Sequence, residues 1–290
     1  MMKLLFVKKT AQNIKEGLEK LCFVFLVLFI FLLVIVSIWL LKITGRYEEI
    51  NKPSLLRERK VVIQMNHPDG GNEWIFIYRN YWKPIYLIKP WLILNELPFA
   101  LADRANFPKS SFLFHFLEMA FVSVDRVKKE ELDKMTKEEA KKFIGRMMRL
   151  RTYSLGKCKR ALKENIPIIG FFEGGRTRNA TEFVYSTIKR KPLGKLNKSL
   201  GLIVKQNKAN MEVAWIEFPG VSYYCLQDSG KFSIRRFCFW YIKTLFGKNG
   251  KIILRWGRLI KWDELEKLEG TYQEISDLAE NHSLELADEV

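Results

Sequence analysis

The chain has 290 residues, 48% of them hydrophobic and 13% aromatic, a composition that excludes an intrinsically disordered polypeptide. Its net charge is +17, unevenly spread: the first 262 residues hold 48 of the 49 lysines and arginines but only 22 of the 32 acidic residues. A body this basic seeks polyanions, while Cys22, Cys158, Cys225 and Cys238 show neither a C-x-x-C pair nor the histidine spacing of a zinc site.

In chain order, a basic, amphipathic segment over 1–20 comes first. It runs into LCFVFLVLFIFLLVIVSIWLL, Leu21 to Leu41, which carries no charge and is bracketed by Lys20 and Lys42. As a helix rising about 1.5 Å per residue, it matches a hydrocarbon core roughly 30 Å thick. A cleaved signal peptide has a shorter apolar stretch and a small-residue cleavage site, and neither is present. A helix lying in the interface needs a polar face, and this run has none. Residues 21–41 therefore read as a single-pass transmembrane helix, with 42–262 as one domain at the membrane surface. Lys3, Lys8, Lys9, Lys15 and Lys20 precede the span, and Lys42, Arg46, Lys52, Arg57, Arg59 and Lys60 follow it. The positive-inside rule leans slightly to a cytosolic domain with reduced thiols, at the endoplasmic reticulum or a bacterial inner membrane. Beside a bilayer, the nearest polyanions are lipid headgroups and phosphorylated substrates.

Beyond the anchor, KVVIQMNH predicts a strand over Val61 to Met65 that empties into a turn. Asp69-Gly70-Gly71-Asn72 is a loop signal, and Asn72 can cap a helix beginning near Glu73. A second strand is expected at Pro84 to Lys89, and Phe112 to Val124 starts helical and ends strand-like. Lys128 to Asn165 reads as charged helix in two segments, with a weak point near Tyr153 to Gly156. IPIIGFF, residues 166–172, reads as a buried strand emptying into EGGRTRN. Further strands are expected at Glu212 to Phe218 and Lys251 to Trp256. The acidic residues 263–290 read as a solvated helix and tail. Strands alternating with helices predict an α/β domain, in which ligands gather at the carboxyl ends of strands.

Of three histidines, His282 lies in the acidic tail and His115 among Phe112, Leu113, Phe114 and Phe116, where a packed or surface role suffices. His67 directly follows a buried-looking strand and opens a turn holding Asp69, Asn72 and Glu73. In Glu173-Gly174-Gly175-Arg176-Thr177-Arg178, the glycines let backbone approach a ligand, and Arg176 and Arg178 offer planar donors suited to phosphate. Glu173 is placed to hold an arginine. Asp125-Arg126 closes an apolar run.

These three blocks, in this order behind an apolar helix, resemble the 1-acylglycerol-3-phosphate acyltransferase family of glycerolipid acyltransferases. That family carries N-H-x-x-x-x-D, an F-I-D-R-like block and F-P-E-G-T-R-S. Here stand Asn66-His67, then Phe121-Val122-Ser123-Val124-Asp125-Arg126, then Phe171-Phe172-Glu173-Gly174-Gly175-Arg176-Thr177. The resemblance spans roughly residues 55 to 220. The family's fourth block, a proline-containing strand, is barely recognisable in Val213-Ala214-Trp215-Ile216 with a proline only at Pro219, which leaves acceptor specificity open, and three positions of the other blocks differ. Asn72 replaces the aspartate, Phe172 the proline and Gly175 the threonine. In a Ser-His-Asp triad, the aspartate-to-asparagine exchange lowers turnover about 10⁴-fold.

The resemblance implies a mixed central sheet flanked by helices behind the transmembrane helix. It also implies acyl transfer from acyl-CoA or an acyl carrier protein to the hydroxyl of a lysophospholipid. His67 is then the general base, with Glu73 or Asp69 supplying the carboxylate that Asn72 lacks. Arg126, Arg176 and Arg178 bind the acceptor phosphate with Glu173, Gly174 and Gly175. No metal or cofactor is implied, and no nucleic-acid module is recognisable. A catalytically silent, membrane-anchored lipid-binding protein is the alternative.

Overall fold

The computed structural model describes residues 35–53, 58–67, 134–173, 182–218, 234–248, 250–268 and 271–289 without interruption, with shorter stretches between them. The strands are β1 (Tyr47–Ile50), β2 (Val61–Met65), β3 (Phe99–Asp103), β4 (Phe121–Val124), β5 (Ile168–Gly170), β6 (Phe183–Tyr185), β7 (Pro192–Gly194), β8 (Asn210–Glu217) and β9 (Ile252–Ile260). The helices are α1 (Ile85–Ile88), α2 (Lys137–Lys163), α3 (Ser199–Asn207), α4 (Ile234–Leu245), α5 (Trp262–Leu265) and α6 (Tyr272–Glu289).

Seven strands make one sheet in the order β1-β9-β8-β2-β5-β3-β4, and β6 and β7 form a separate antiparallel hairpin. From β8 to β4 every pairing is parallel. β9 runs antiparallel to β8 and carries β1 parallel to itself. The domain is thus mixed α/β, with a mixed central sheet flanked by helices.

The buried strands expected from the sequence form because both sheet faces are covered. All five residues of β2 are buried. Val62 packs on one side with Leu162 of α2, Leu200 and Val204 of α3, and Ala279 of α6. Val61, Ile63 and Met65 pack on the other with Phe76, Trp240 and Trp256. Fully burying such a side chain is worth about 1.5–3 kcal/mol, so a continuous apolar run is what this position in the sheet selects.

Three expectations change. Residues 85–88 form a single helical turn in which only Tyr86 is buried, and not a strand. A short apolar run does not distinguish the two by pattern. α2 passes unbroken through Tyr153 to Gly156, opened by a capping box in which Glu139 N donates to Thr136 Oγ1 at 3.3 Å and Thr136 N to Glu139 Oε2 at 2.9 Å. Gly156 costs such a helix about 1 kcal/mol against alanine, too little to divide it. The acidic C-terminal stretch is not a solvated appendage. α6 buries Ile275, Ser276, Ala279, Glu280, Ser283, Leu286 and Ala287. Its Asp288 carboxylate accepts the backbone N–H groups of Ile188 (3.0 Å) and Lys189 (2.7 Å) in the β6–β7 turn. Desolvation pushes that carboxyl up, but the N–H donors outweigh it and hold it at about 2.

Every described position between 21 and 41 is helical, and positions 23, 26, 27, 30, 31 and 34 lie outside the described residues. Among the described residues no helix is long and apolar enough to cross a membrane. The helix ends where Thr44 Oγ1 donates to Leu40 O at 2.9 Å and Gly45 takes φ +67°. Ile38 and Leu41 are buried against the domain, whereas Leu33, Val36 and Trp39 are more than half exposed.

Candidate active site

β2 and β5 are adjacent and parallel, with Val62 opposite Ile168, Ile63 opposite Ile169 and Gln64 opposite Gly170. The chain therefore leaves both strands at the same edge, which brings Asn66-His67 beside Phe171-Phe172-Glu173. Three polar side chains knit the exits together. Asn66 is 1% exposed; its amide donates to Ile216 O at 2.9 Å and accepts from Ile216 N at 2.8 Å, extending the β2–β8 ladder by a side chain. Buried Gln64 accepts Phe172 N at 3.1 Å and donates to Met65 O at 3.0 Å. Asn197 Nδ2 donates to Phe172 O at 2.9 Å.

Glu173 is 5% exposed, and its carboxylate joins two loops. Oε1 accepts His67 N–H at 2.7 Å, and Oε2 accepts Gly194 N–H at 2.8 Å. Two residues 106 positions apart in the chain are thus fixed by one short, charge-assisted bond. The half-buried His67 ring stacks on Phe171, centroids 4.0 Å apart and planes 10° from parallel. Its backbone and its plane are both held before any substrate arrives.

The helical residues beyond the His67 turn are also moored. Phe76 is buried and stacks on Tyr47 of β1 at 5.3 Å. Arg79 and Asn80 both donate to Glu49 of β1, at 3.1 and 2.8 Å, and Trp256 Nε1 donates to the same carboxylate at 3.1 Å.

Of the sequence candidates, His67 and Glu173 are brought together. Asp69, Asn72, Glu73, Arg126, Gly174, Gly175, Arg176 and Arg178 lie outside the described residues. β4, which ends at Val124, is parallel to β3 and β5 and so ends at the same sheet edge. With β5 and β3 between them, β4 stands three strand spacings from β2, about 14 Å. Among the described residues no cluster of His, Cys, Asp and Glu is arranged to hold a metal. Sequence reasoning missed Gln64 and Asn197, and gave Asn66 no role beyond its place in the Asn66-His67 block. The signal for the first was present, since a glutamine inside the run VVIQM needs a buried partner.

The same contacts explain Phe172. Proline, which the resembling family carries there, has no N–H, whereas Phe172 donates one to Gln64. Its ring also fills the space above Gly170. Phe172→Pro should therefore destabilise this protein by about 1–3 kcal/mol, the cost of leaving the Gln64 oxygen without its donor. Chemical denaturation would measure it, and unchanged stability would show that Gln64 is not holding this loop.

No protein-family model matches the sequence, and no curated protein matches it. Seven chains of solved structures do match it. One is described as the crystal structure of the 1-acyl-sn-glycerophosphate (LPA) acyltransferase PlsC from Thermotoga maritima. It has 12% sequence identity and a TM-score of 0.46, over 96% of this chain and 98% of that one. A likeness at this level assigns neither substrate nor chemistry to the present chain.

Proposed function

We propose that this chain is a membrane-bound O-acyltransferase that moves a fatty acyl group from acyl-CoA or an acyl carrier protein to a lysophospholipid hydroxyl. The acceptor we favour is 1-acylglycerol-3-phosphate. One observation carries the reading: the His67 block and the Glu173 block meet through the bond between His67 N–H and Glu173. An alcohol has a pKa near that of water and needs a base beside it. In this reading His67 takes the hydroxyl proton as the oxygen attacks the thioester carbonyl. Backbone N–H groups of the 70–71 or 174–175 turn steady the oxyanion. The departing thiolate, of pKa about 8.5, needs little acid assistance. Arg126, Arg176 and Arg178 take the acceptor phosphate. The basic body suits the phosphates of CoA or an acidic carrier, and residues 21–41 keep the domain at the bilayer, on its cytosolic face.

The purified full chain, given labelled acyl-CoA and a panel of lysophospholipids, should form labelled diacyl product with lysophosphatidic acid as the best acceptor. Binding of the lysolipid without product would support the second reading, a silent lipid-binding homologue, which Asn72 favours by removing the family's carboxylate.

If the chain is active, Glu73 supplies that carboxylate. It directly follows the family position and is one methylene longer, while Asp69 is constrained by Pro68 and better placed to bond its own turn. Glu73→Gln should lower turnover at least tenfold, about 1.4 kcal/mol of barrier, and Asn72→Asp should be neutral or mildly activating. A silent Glu73→Gln with a damaging Asp69→Asn would transfer the role to Asp69.

A further inference from the structure

α4 lies beside the N-terminal helix, and the two run in the same direction. Tyr241 Oη donates to Ser37 O at 2.8 Å, and Trp240 shares a core with Ile38 and Leu41. Further on, the Arg46 guanidinium packs against Gly247. Residue 241 thus meets 37 and residue 247 meets 46, so both helices end together. Among the described residues, apolar side chains are exposed at both of these ends. Ile242 (50%) on α4 and Phe246 (74%) just past its end are exposed four residues apart, and Trp39 (59%) and Ile43 (63%) one turn apart on its neighbour. Lys243 and Lys248 are exposed around them.

The sheet topology says where this face points. β1 and β9 run antiparallel to β8, and hence to β2. Their first residues, Tyr47 and Ile252, therefore lie at the edge where β2 ends and His67 begins. The N-terminal helix feeds β1 and α4 feeds β9, so both apolar helix ends arrive at the edge of the candidate active site.

We propose that α4 is a second membrane-contacting element, seated with the end of the N-terminal helix at the headgroup level of an anionic bilayer. Ile242, Phe246, Trp39 and Ile43 enter the acyl boundary, and the lysines meet lipid phosphates. Large apolar side chains exposed at two neighbouring helix ends call for a cover, and apolar residues interleaved with lysines fit a charged lipid interface. The inference rests on the membrane reading of residues 21–41 and deepens it. A lipid acceptor would meet the His67 edge without leaving the bilayer surface.

The test uses the full chain with Cys22, Cys225 and Cys238 changed to serine. Cys158 stays, since it is 1% exposed and burial pushes its thiol up to about 12. Single substitutions Ile242→Cys, Phe246→Cys, Leu33→Cys and Met148→Cys carry an environment-sensitive fluorophore. Each variant meets phosphatidylcholine–phosphatidylglycerol vesicles containing lipid with a shallow quencher and, for residue 33 near the middle of the span, lipid with a deep one. Loss of emission at 242, 246 and 33, with none at 148 on α2, is the expected result. Loss at 33 while 242 and 246 behave like 148 would overturn the inference and leave the anchor standing. No loss at 33, with a chain that does not float with the vesicles, would defeat the anchor and this inference with it. Concentration-dependent self-quenching at 242 without lipid quenching would make the face an interface between copies, and overturn the proposal as well.

Discussion

Replacing His67 with alanine should lower acyl-transfer turnover by about 10²–10⁴-fold, the usual contribution of a positioned general base, while leaving the fold in place. The fold should survive because the structural bond is made by the His67 backbone, which alanine keeps: its N–H donates to Glu173 whatever the side chain. The ring contributes its stack on Phe171 at a half-buried position. The variant should therefore melt near wild type, insert into vesicles and bind lysolipid, yet form product only at that reduced rate. Retention of about a tenth or more of the wild-type turnover would take the base role from His67, and the melting curve would show whether a loss of activity is only a loss of structure.

Glu173→Gln should produce the second largest effect, by a different route. Both carboxylate oxygens accept backbone N–H groups in a site that is 5% exposed. Glutamine can accept one of them, and its NH₂ then faces the other donor. A buried donor left without an acceptor costs about 1–3 kcal/mol, and the His67 backbone moves to relieve it. Misplacement of a catalytic group by about 1 Å can cost about 10²-fold in rate. Turnover should fall about 10- to 100-fold with little change in the Michaelis constant for acyl-CoA. Because Glu173 acts through His67, adding Glu173→Gln to His67→Ala should cost no further activity, a non-additivity that independent roles would not show. A double variant far less active than His67→Ala would instead give Glu173 a role of its own, such as holding an arginine.

What the sequence revealed and what it hid divide by physical cause. β2, β5 and β8 were legible because strands covered on both faces are written as largely apolar runs, and β9 because its residues alternate between buried and half-buried positions. β1 was not, because Tyr-Glu-Glu-Ile at a sheet edge carries Glu49 for a tertiary purpose, receiving Arg79, Asn80 and Trp256. β7 begins with proline and ends with glycine, residues that argue against a strand until Gly194 is seen giving its N–H to Glu173. α6 was read as solvated from its charge, but its buried face is built from Ile, Ala, Ser and Leu spaced between the acids. At the site, the motif residues His67 and Glu173 stood out for their chemistry. The bond between them did not, because it runs through a backbone N–H, which every residue but proline carries.

The most direct test of the central claim is a single-turnover experiment on the purified full chain in vesicles, following thiol release from acyl-CoA and formation of the new ester together. Wild-type protein should release one thiol for each ester formed on lysophosphatidic acid, and His67→Ala should do both about 10²–10⁴-fold more slowly while still binding the lysolipid. Wild-type protein that binds the lysolipid yet releases no thiol, or releases thiol without forming ester, would contradict the assignment of this chain as an acyltransferase.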